Sequence, residues 1–181
     1  DENRLSDFDH ERIQFIPDFY SEKYASLQAD FIVCKMTLEH IQNPAQFLSI
    51  IRKWVGDNQN SIIFFQVPDT SRILLDIAFW DIYYEHCSYF TQESLKHVFE
   101  LCGFQVTAQW KAYDDQYLML EARPVRTPQK SKSNSTSPKV ANDVNHFRKV
   151  IENTKSNWKQ KLVQNHNTGK LTVLWGGGSK G

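Results

Sequence analysis

Apolar and polar positions along the chain alternate in two different rhythms, and the switches between them lay out an order of elements. Residues 11–16 alternate polar and apolar and stop at Pro17, as a short strand does. Residues 30–36 form a near-continuous apolar run rich in branched side chains, which suits a strand buried on both faces of a parallel sheet. Asn43-Pro44 then reads as a helix start, because Asn is a good N-cap and Pro loses no needed hydrogen bond at the first helical position. Phe47, Leu48, Ile51, Trp54 and Val55 recur at helical spacing, and Gly56 supplies the stop.

The same logic continues down the chain. Residues 61–67 read as a second buried strand closed by Pro68-Asp69. Ile73, Leu74, Ile77, Ala78 and Trp80 give residues 70–82 a helical period. Thr91 caps a further helix with Leu95, Val98, Phe99 and Cys102 on one face and Gly103 after it. Residues 104–110 and 117–122 alternate as strands, with Asp114-Asp115 in the turn between them. Strands alternating with helices predict an α/β domain with a mostly parallel sheet, and the closing hairpin places one antiparallel strand at its edge. Residues 140–167 carry a narrow apolar stripe (Val144, Phe147, Ile151, Trp158, Leu162) along an otherwise basic helix. Gly169 ends it, and residues 170–175 read as a short apolar strand running into a Gly-rich segment.

Charge divides the chain where the pattern does. The net charge is zero, yet residues 1–122 hold 9 Lys and Arg against 19 Asp and Glu, while residues 123–181 hold 12 against 2. The halves therefore carry −10 and +10, which predicts two units with different surfaces. Residues 123–139, with three prolines and many Ser and Lys, read as the linker between a unit at 1–122 and a unit at 140–181. A composition that is 40% apolar and 13% aromatic is rich enough to fold. No apolar run approaches the roughly 18 residues that span a bilayer, and no leader opens the chain, so a cytoplasmic location is expected. Cys34, Cys87 and Cys102 lie far apart with no Cys-x-x-Cys spacing, which predicts reduced thiols and no zinc site.

Two segments concentrate the chemistry-bearing residues. One is the apolar run ending in Cys34-Lys35-Met36 and followed by Leu38-Glu39-His40. The other is Tyr83-Tyr84-Glu85-His86-Cys87-Ser88-Tyr89-Phe90. A His beside a carboxylate makes a sound general base, because its pKa lies near operating pH and the carboxylate can favour the imidazolium. Phenol groups can steady a developing oxyanion. The Leu-Glu-His segment reads equally as a helix-entry loop or as pocket lining.

A strand running into Leu-Glu-His, followed by Tyr-x-Glu-His-x-x-x-Phe, resembles the latter part of a class I S-adenosylmethionine-dependent methyltransferase, nearest to the sugar C-methyltransferase branch. The resemblance implies a Rossmann-like sheet with a closing hairpin, and S-adenosyl-L-methionine as cofactor. It implies that Asp18 accepts from the adenine amino group, that Phe19 packs on the ring, and that Cys34, Lys35 and Met36 lie near the methionine part. Lys35 and Met36 depart from the family's Cys-Arg-His-like triplet, so backbone groups are expected to serve there. Tyr83, Glu85 and His86 match the residues that would deprotonate a ketone at its α carbon and steady the enolate. The implied partner is a small carbonyl substrate, a nucleotide-linked sugar among the candidates; neither a membrane nor nucleic acid is the expected partner. An O- or N-methyltransferase of the same fold remains open, as does a non-catalytic module whose basic 140–170 helix binds nucleic acid or an acidic partner. The family opens with a Gly-x-Gly-x-Gly turn; the first Gly here is Gly56, so the chain reads as a piece of a larger enzyme that is inactive alone. The terminal Gly-Gly-Gly-Ser-Lys-Gly resembles the start of the family's second Rossmann-like domain.

Overall fold

The computed structural model describes residues 13–24, 26–27, 29–56, 58–126 and 137–175. Four strands, β1 (Phe31–Lys35), β2 (Ile62–Pro68), β3 (Phe104–Ala112) and β4 (Tyr117–Pro124), form one sheet in the order β1-β2-β4-β3. β1 and β2 are parallel, joined through helix α1 (Pro44–Val55). After β2 come a short helix α2 (Thr70–Leu75), a 3-10 turn (Phe79–Asp81) and helix α3 (Gln92–Leu101). A thirty-residue helix, α4 (Pro138–Asn167), follows the sheet.

Helix ends fall where the capping chemistry puts them. The Asn43 side chain accepts from the Gln46 N–H, and Pro44 opens α1. The Thr91 hydroxyl accepts from the Ser94 N–H, and the Ser94 hydroxyl accepts from the Thr91 N–H, closing a capping box at α3. Asp69, almost fully buried, caps α2 by accepting from the Ser71 N–H. Arg52 ties the helix ends together. Its guanidinium donates to the carbonyls of Gly56, Gly103 and Val125, joining α1, the end of α3 and the end of β4. Gly103 sits at φ +84°, where a side chain would be strained, and a Cβ there would meet Arg52 Nε at 3.2 Å and push the guanidinium aside.

The core lies on one face of the sheet. Ile63, Phe65 and Val67 of β2 and Leu118, Leu120 and Ala122 of β4 pack with Leu48 and Ile51 of α1 and Leu95 and Phe99 of α3. Phe65 and Phe99 meet edge to face, their centroids 5.0 Å apart.

Five features differ from the sequence expectation. The antiparallel strand is not at the edge: β4 lies between β2 and β3, pairing antiparallel with both. β3, exposed along much of its length and alternating apolar with polar residues, takes the edge, whereas Leu118, Met119 and Leu120 of β4 are buried. β1 is covered on one face only. Ile32 and Cys34 meet the core, while Phe31 and Val33 are more than half exposed on the other side. The helix expected over 70–82 stops at Leu75, because Ile77 adopts a left-handed φ of 55° and the chain turns before Phe79. Residues 13–16, the described part of the first expected strand, belong to none of the four strands. Residues 170–175 likewise form no strand, and Leu171, Leu174 and Trp175 are almost fully exposed.

The linker expectation falls mainly on 127–136, outside the described residues, as does the Gly-rich segment at 176–181. Arg123 and Pro124 belong to β4. Helix α4 packs against α2; Phe147 and Ile151 in its first half are half-buried, whereas Trp158, Leu162 and Val163 are exposed. No helix among the described residues is long and apolar enough to cross a membrane.

Candidate active site

A cavity of about 340 Å³ opens beside the carboxyl ends of β1 and β2. Its lining joins both segments singled out in the sequence. Met36 and His40 come from the first; Tyr83, Glu85 and His86 come from the second; Pro68, Ile73, Asp81, Gln116 and Tyr117 complete it. Ligands in open α/β sheets bind at this end of the strands.

Backbone bonds hold the two segments together. The Glu39 carbonyl accepts from the N–H of Cys87 at 2.7 Å and of Ser88 at 3.1 Å. His40 Nδ1 lies 3.2 Å from the Glu85 carbonyl, and the Cys87 thiol donates to the His40 carbonyl at 3.4 Å. The loop carrying Tyr-x-Glu-His has no regular structure of its own, and the Leu38–His40 turn serves as its template. Leu38 anchors that turn in the core.

His86 stands inside an aromatic collar. Its ring centroid is 4.9 Å from His40, 5.0 Å from Tyr83 and 5.8 Å from Tyr89. The Tyr89 hydroxyl donates to the Tyr83 carbonyl, fixing the collar's far side. Burial lowers the His86 pKa from the ordinary imidazole value, and His40 pushes the same way. Glu85 and Asp81 oppose the shift without reversing it. The Glu85 carboxylate favours the imidazolium, as a neighbouring acid does, but from an exposed position it is outweighed by burial. A lowered pKa keeps the ring neutral, which is the form that accepts a proton.

Glu39 is the largest departure from the sequence reading. It is fully buried, and neither carboxylate oxygen has a hydrogen-bond partner; burial pushes its pKa above the ordinary carboxylate value. His86 Nδ1 is also buried without a partner. Ligand atoms of Glu39, His40 and His86 all lie within 4.8 Å of one another.

Sequence reasoning missed Asp81, Gln116 and Tyr117. Asp81 is held in place by Arg72, 3.0 Å away, an ion pair spanning the break in the expected helix. Tyr117 pairs with Pro68 in the β2–β4 ladder, so it reaches the cavity through strand order. Knowing that β4 lies next to β2 would have found Tyr117 and Gln116.

The expected cofactor residues divide. Met36 lines the cavity, and its φ of 50° turns the backbone at the end of β1. Cys34 faces the core and burial raises its thiol to about 11, which makes it an inert packing residue. Lys35 is exposed. Asp18 and Phe19 do not line the cavity. Asp18 accepts from the Phe19 N–H, from the Tyr24 hydroxyl and from Lys23, and Lys23 foremost holds its carboxyl at about 2. Phe19 is 92% exposed, a ring face without cover.

A parallel βαβ unit closed by an antiparallel hairpin, with a cavity at the strands' carboxyl ends, is an open α/β arrangement that hosts many chemistries. The comparisons name the family within that class. Residues 2–109 match the family model described as "Methyltransferase domain", and the chain belongs to that family. S-adenosyl-L-methionine is the methyl donor of such a domain. No curated protein sequence matches the chain. Solved structures similar to it include the N,N-8-amino-8-demethyl-D-riboflavin dimethyltransferase RosA from Streptomyces davawensis, with 18% identity and a TM-score of 0.43 over 54% of this chain and 30% of that one. A mutant of the 16S rRNA (adenine(1408)-N(1))-methyltransferase from Catenulisporales acidiphilia matches with 18% identity and a TM-score of 0.41, covering 56% of this chain and 52% of that one. Magnesium protoporphyrin IX methyltransferase (ChlM) from Synechocystis PCC 6803, solved with bound SAH, matches with 13% identity and a TM-score of 0.40, covering 55% of this chain and 48% of that one. The matched regions thus span between 30% and 52% of those structures.

Proposed function

We propose that this chain is the substrate-side part of an S-adenosylmethionine-dependent C-methyltransferase that acts on a sugar or another small carbonyl compound. The observation that carries the reading is the His86 collar: a partly buried imidazole, biased toward its neutral form, faces a cavity also lined by Tyr83, Glu85 and His40. Methylation at a carbon next to a carbonyl needs a base for the α proton and a donor for the enolate oxygen. His86 takes the proton, and the Tyr83 hydroxyl donates to the oxygen. Glu85 reaches the same cavity and holds a solvated negative charge beside the imidazolium once it has formed. The cofactor supplies the methyl group that the enolate carbon attacks in line.

In this reading Asp18 and Phe19 take the adenine, Met36 turns the β1 backbone toward the amino-acid end, and Cys34 and Lys35 contribute through their backbone. The cavity's size suits a sugar ring; a nucleotide attached to it would extend into solvent. An O- or N-methyltransferase would need the base but no enolate.

Solvent-deuterium exchange separates these readings. The full-length protein, incubated in deuterium oxide with a nucleotide-linked keto sugar and no methyl donor, is expected to wash deuterium into the α position, and His86→Ala is expected to abolish this. Methyl transfer to such substrates without any exchange at carbon would favour the O- or N-methylating reading.

A further inference from the structure

Three buried atoms around one point have no partner: both oxygens of Glu39 and Nδ1 of His86. Buried polar atoms are nearly always satisfied, so three orphans at one place point to a group that the chain itself does not provide. A cation placed among them would satisfy all three at once and would hold Glu39 ionised against the upward push of burial. His40 adds a second imidazole whose ring stands edge-on to His86, and its donor atom lies within 4.8 Å of the other two residues'. His40 Nδ1 is held 3.2 Å from the Glu85 carbonyl. That contact puts a proton on Nδ1 and leaves the lone pair on the other ring nitrogen, the arrangement that metal-binding histidines share.

We propose that Glu39, His40 and His86 form a site for a divalent transition-metal ion of the zinc class. Two imidazoles and one carboxylate match the preference of such ions, whereas Mg²⁺ and Ca²⁺ favour oxygen ligands. Ligand bonds of about 2.0–2.2 Å require the three side chains to close on the ion by an ångström or so. The 83–89 loop permits this because it is held mainly by its bonds to the Leu38–His40 turn. Because His40 and His86 also line the cavity, water or substrate could complete the coordination from that side. The absence of Cys-x-x-Cys spacing does not bear on this site, which uses no thiolate. Binding stands without the functional reading above. One consequence rests on that reading: the ion and the substrate proton compete for the His86 ring, so zinc inhibits methyl transfer.

The test is a titration of the metal-free protein with Co²⁺ alone, followed by displacement with Zn²⁺. The expected result is one ion per chain, with a visible ligand-field spectrum of low-coordinate nitrogen and oxygen ligation and no thiolate charge-transfer band. Glu39→Gln and His40→Gln are each expected to weaken binding by roughly tenfold or more, while Cys87→Ser leaves it unchanged. His40 is exposed, so its variant keeps the test valid even if Glu39→Gln disturbs the core. No ion bound at micromolar Co²⁺, a thiolate band, or binding that survives both substitutions would overturn the site. Binding as predicted without zinc inhibition of the full-length enzyme would leave the site intact and count instead against His86 as the base.

Discussion

The ion pair between Asp69 and Lys111, 2.7 Å long, predicts an asymmetry that a simple count of contacts would miss. The Asp69 side chain is 1% exposed and the Lys111 side chain 35% exposed. Two substitutions remove the same pair. In Asp69→Asn the amide can still accept from the Ser71 N–H, and the abandoned ammonium relaxes into water. The lost attraction is offset by the desolvation that the carboxylate no longer suffers, so the cost is about 1 kcal/mol or less. In Lys111→Met a carboxylate stays buried without its cation, which costs roughly 3–5 kcal/mol when nothing else compensates. The α2 cap bond and the helix N-terminus reduce this, leaving about 3 kcal/mol. Urea unfolding followed by circular dichroism reads the difference. With a slope of about 2 kcal/mol/M, Lys111→Met shifts the midpoint down by about 1.5 M and Asp69→Asn by less than about 0.5 M. Equal shifts, or a larger one for Asp69→Asn, would refute the argument that the buried partner decides the cost.

Two further outcomes follow from burial. Phe99→Ala should destabilise by about 3–5 kcal/mol, because the fully buried ring contacts both Phe65 and Phe104 and no neighbour can fill its volume; thermal unfolding checks this. Iodoacetamide at pH 8 should alkylate exposed Cys87 well before Cys34 or Cys102, whose thiols burial pushes up, as peptide mass spectrometry would read.

What the sequence disclosed, and what it hid, follows from the range of the forces involved. Local chemistry was legible: Asn43 and Thr91 cap helices as their types predict, and the Asp114-Asp115 turn takes the left-handed conformation that Asp tolerates. β2 reads as a buried strand and is one. Strand order was legible only in hindsight, in the contrast between the alternating β3 and the continuous apolar run that opens β4. Residues 170–175 have strand-like composition, but a strand also needs a neighbour, which composition cannot supply. At the site, the Tyr-x-Glu-His segment was visible as a motif. Its meeting with Leu38-Glu39-His40 depends on the Glu39 carbonyl bonding to Cys87 and Ser88, a contact across nearly fifty residues. Glu39 sits in a helix-entry turn that could equally have faced water, so nothing local marked its burial.

The central claim is that His86 is the base of a methyl-transfer site, and single-turnover methyl transfer by the full-length protein tests it most directly. His86→Ala should slow the transfer on the order of a hundredfold to ten-thousandfold while cofactor affinity, measured separately by calorimetry, stays nearly unchanged. Tyr83→Phe should cost less, and Glu85→Gln should give a milder form of the His86 defect. Near-normal turnover in His86→Ala would make the Tyr-x-Glu-His loop a structural strap and contradict the account.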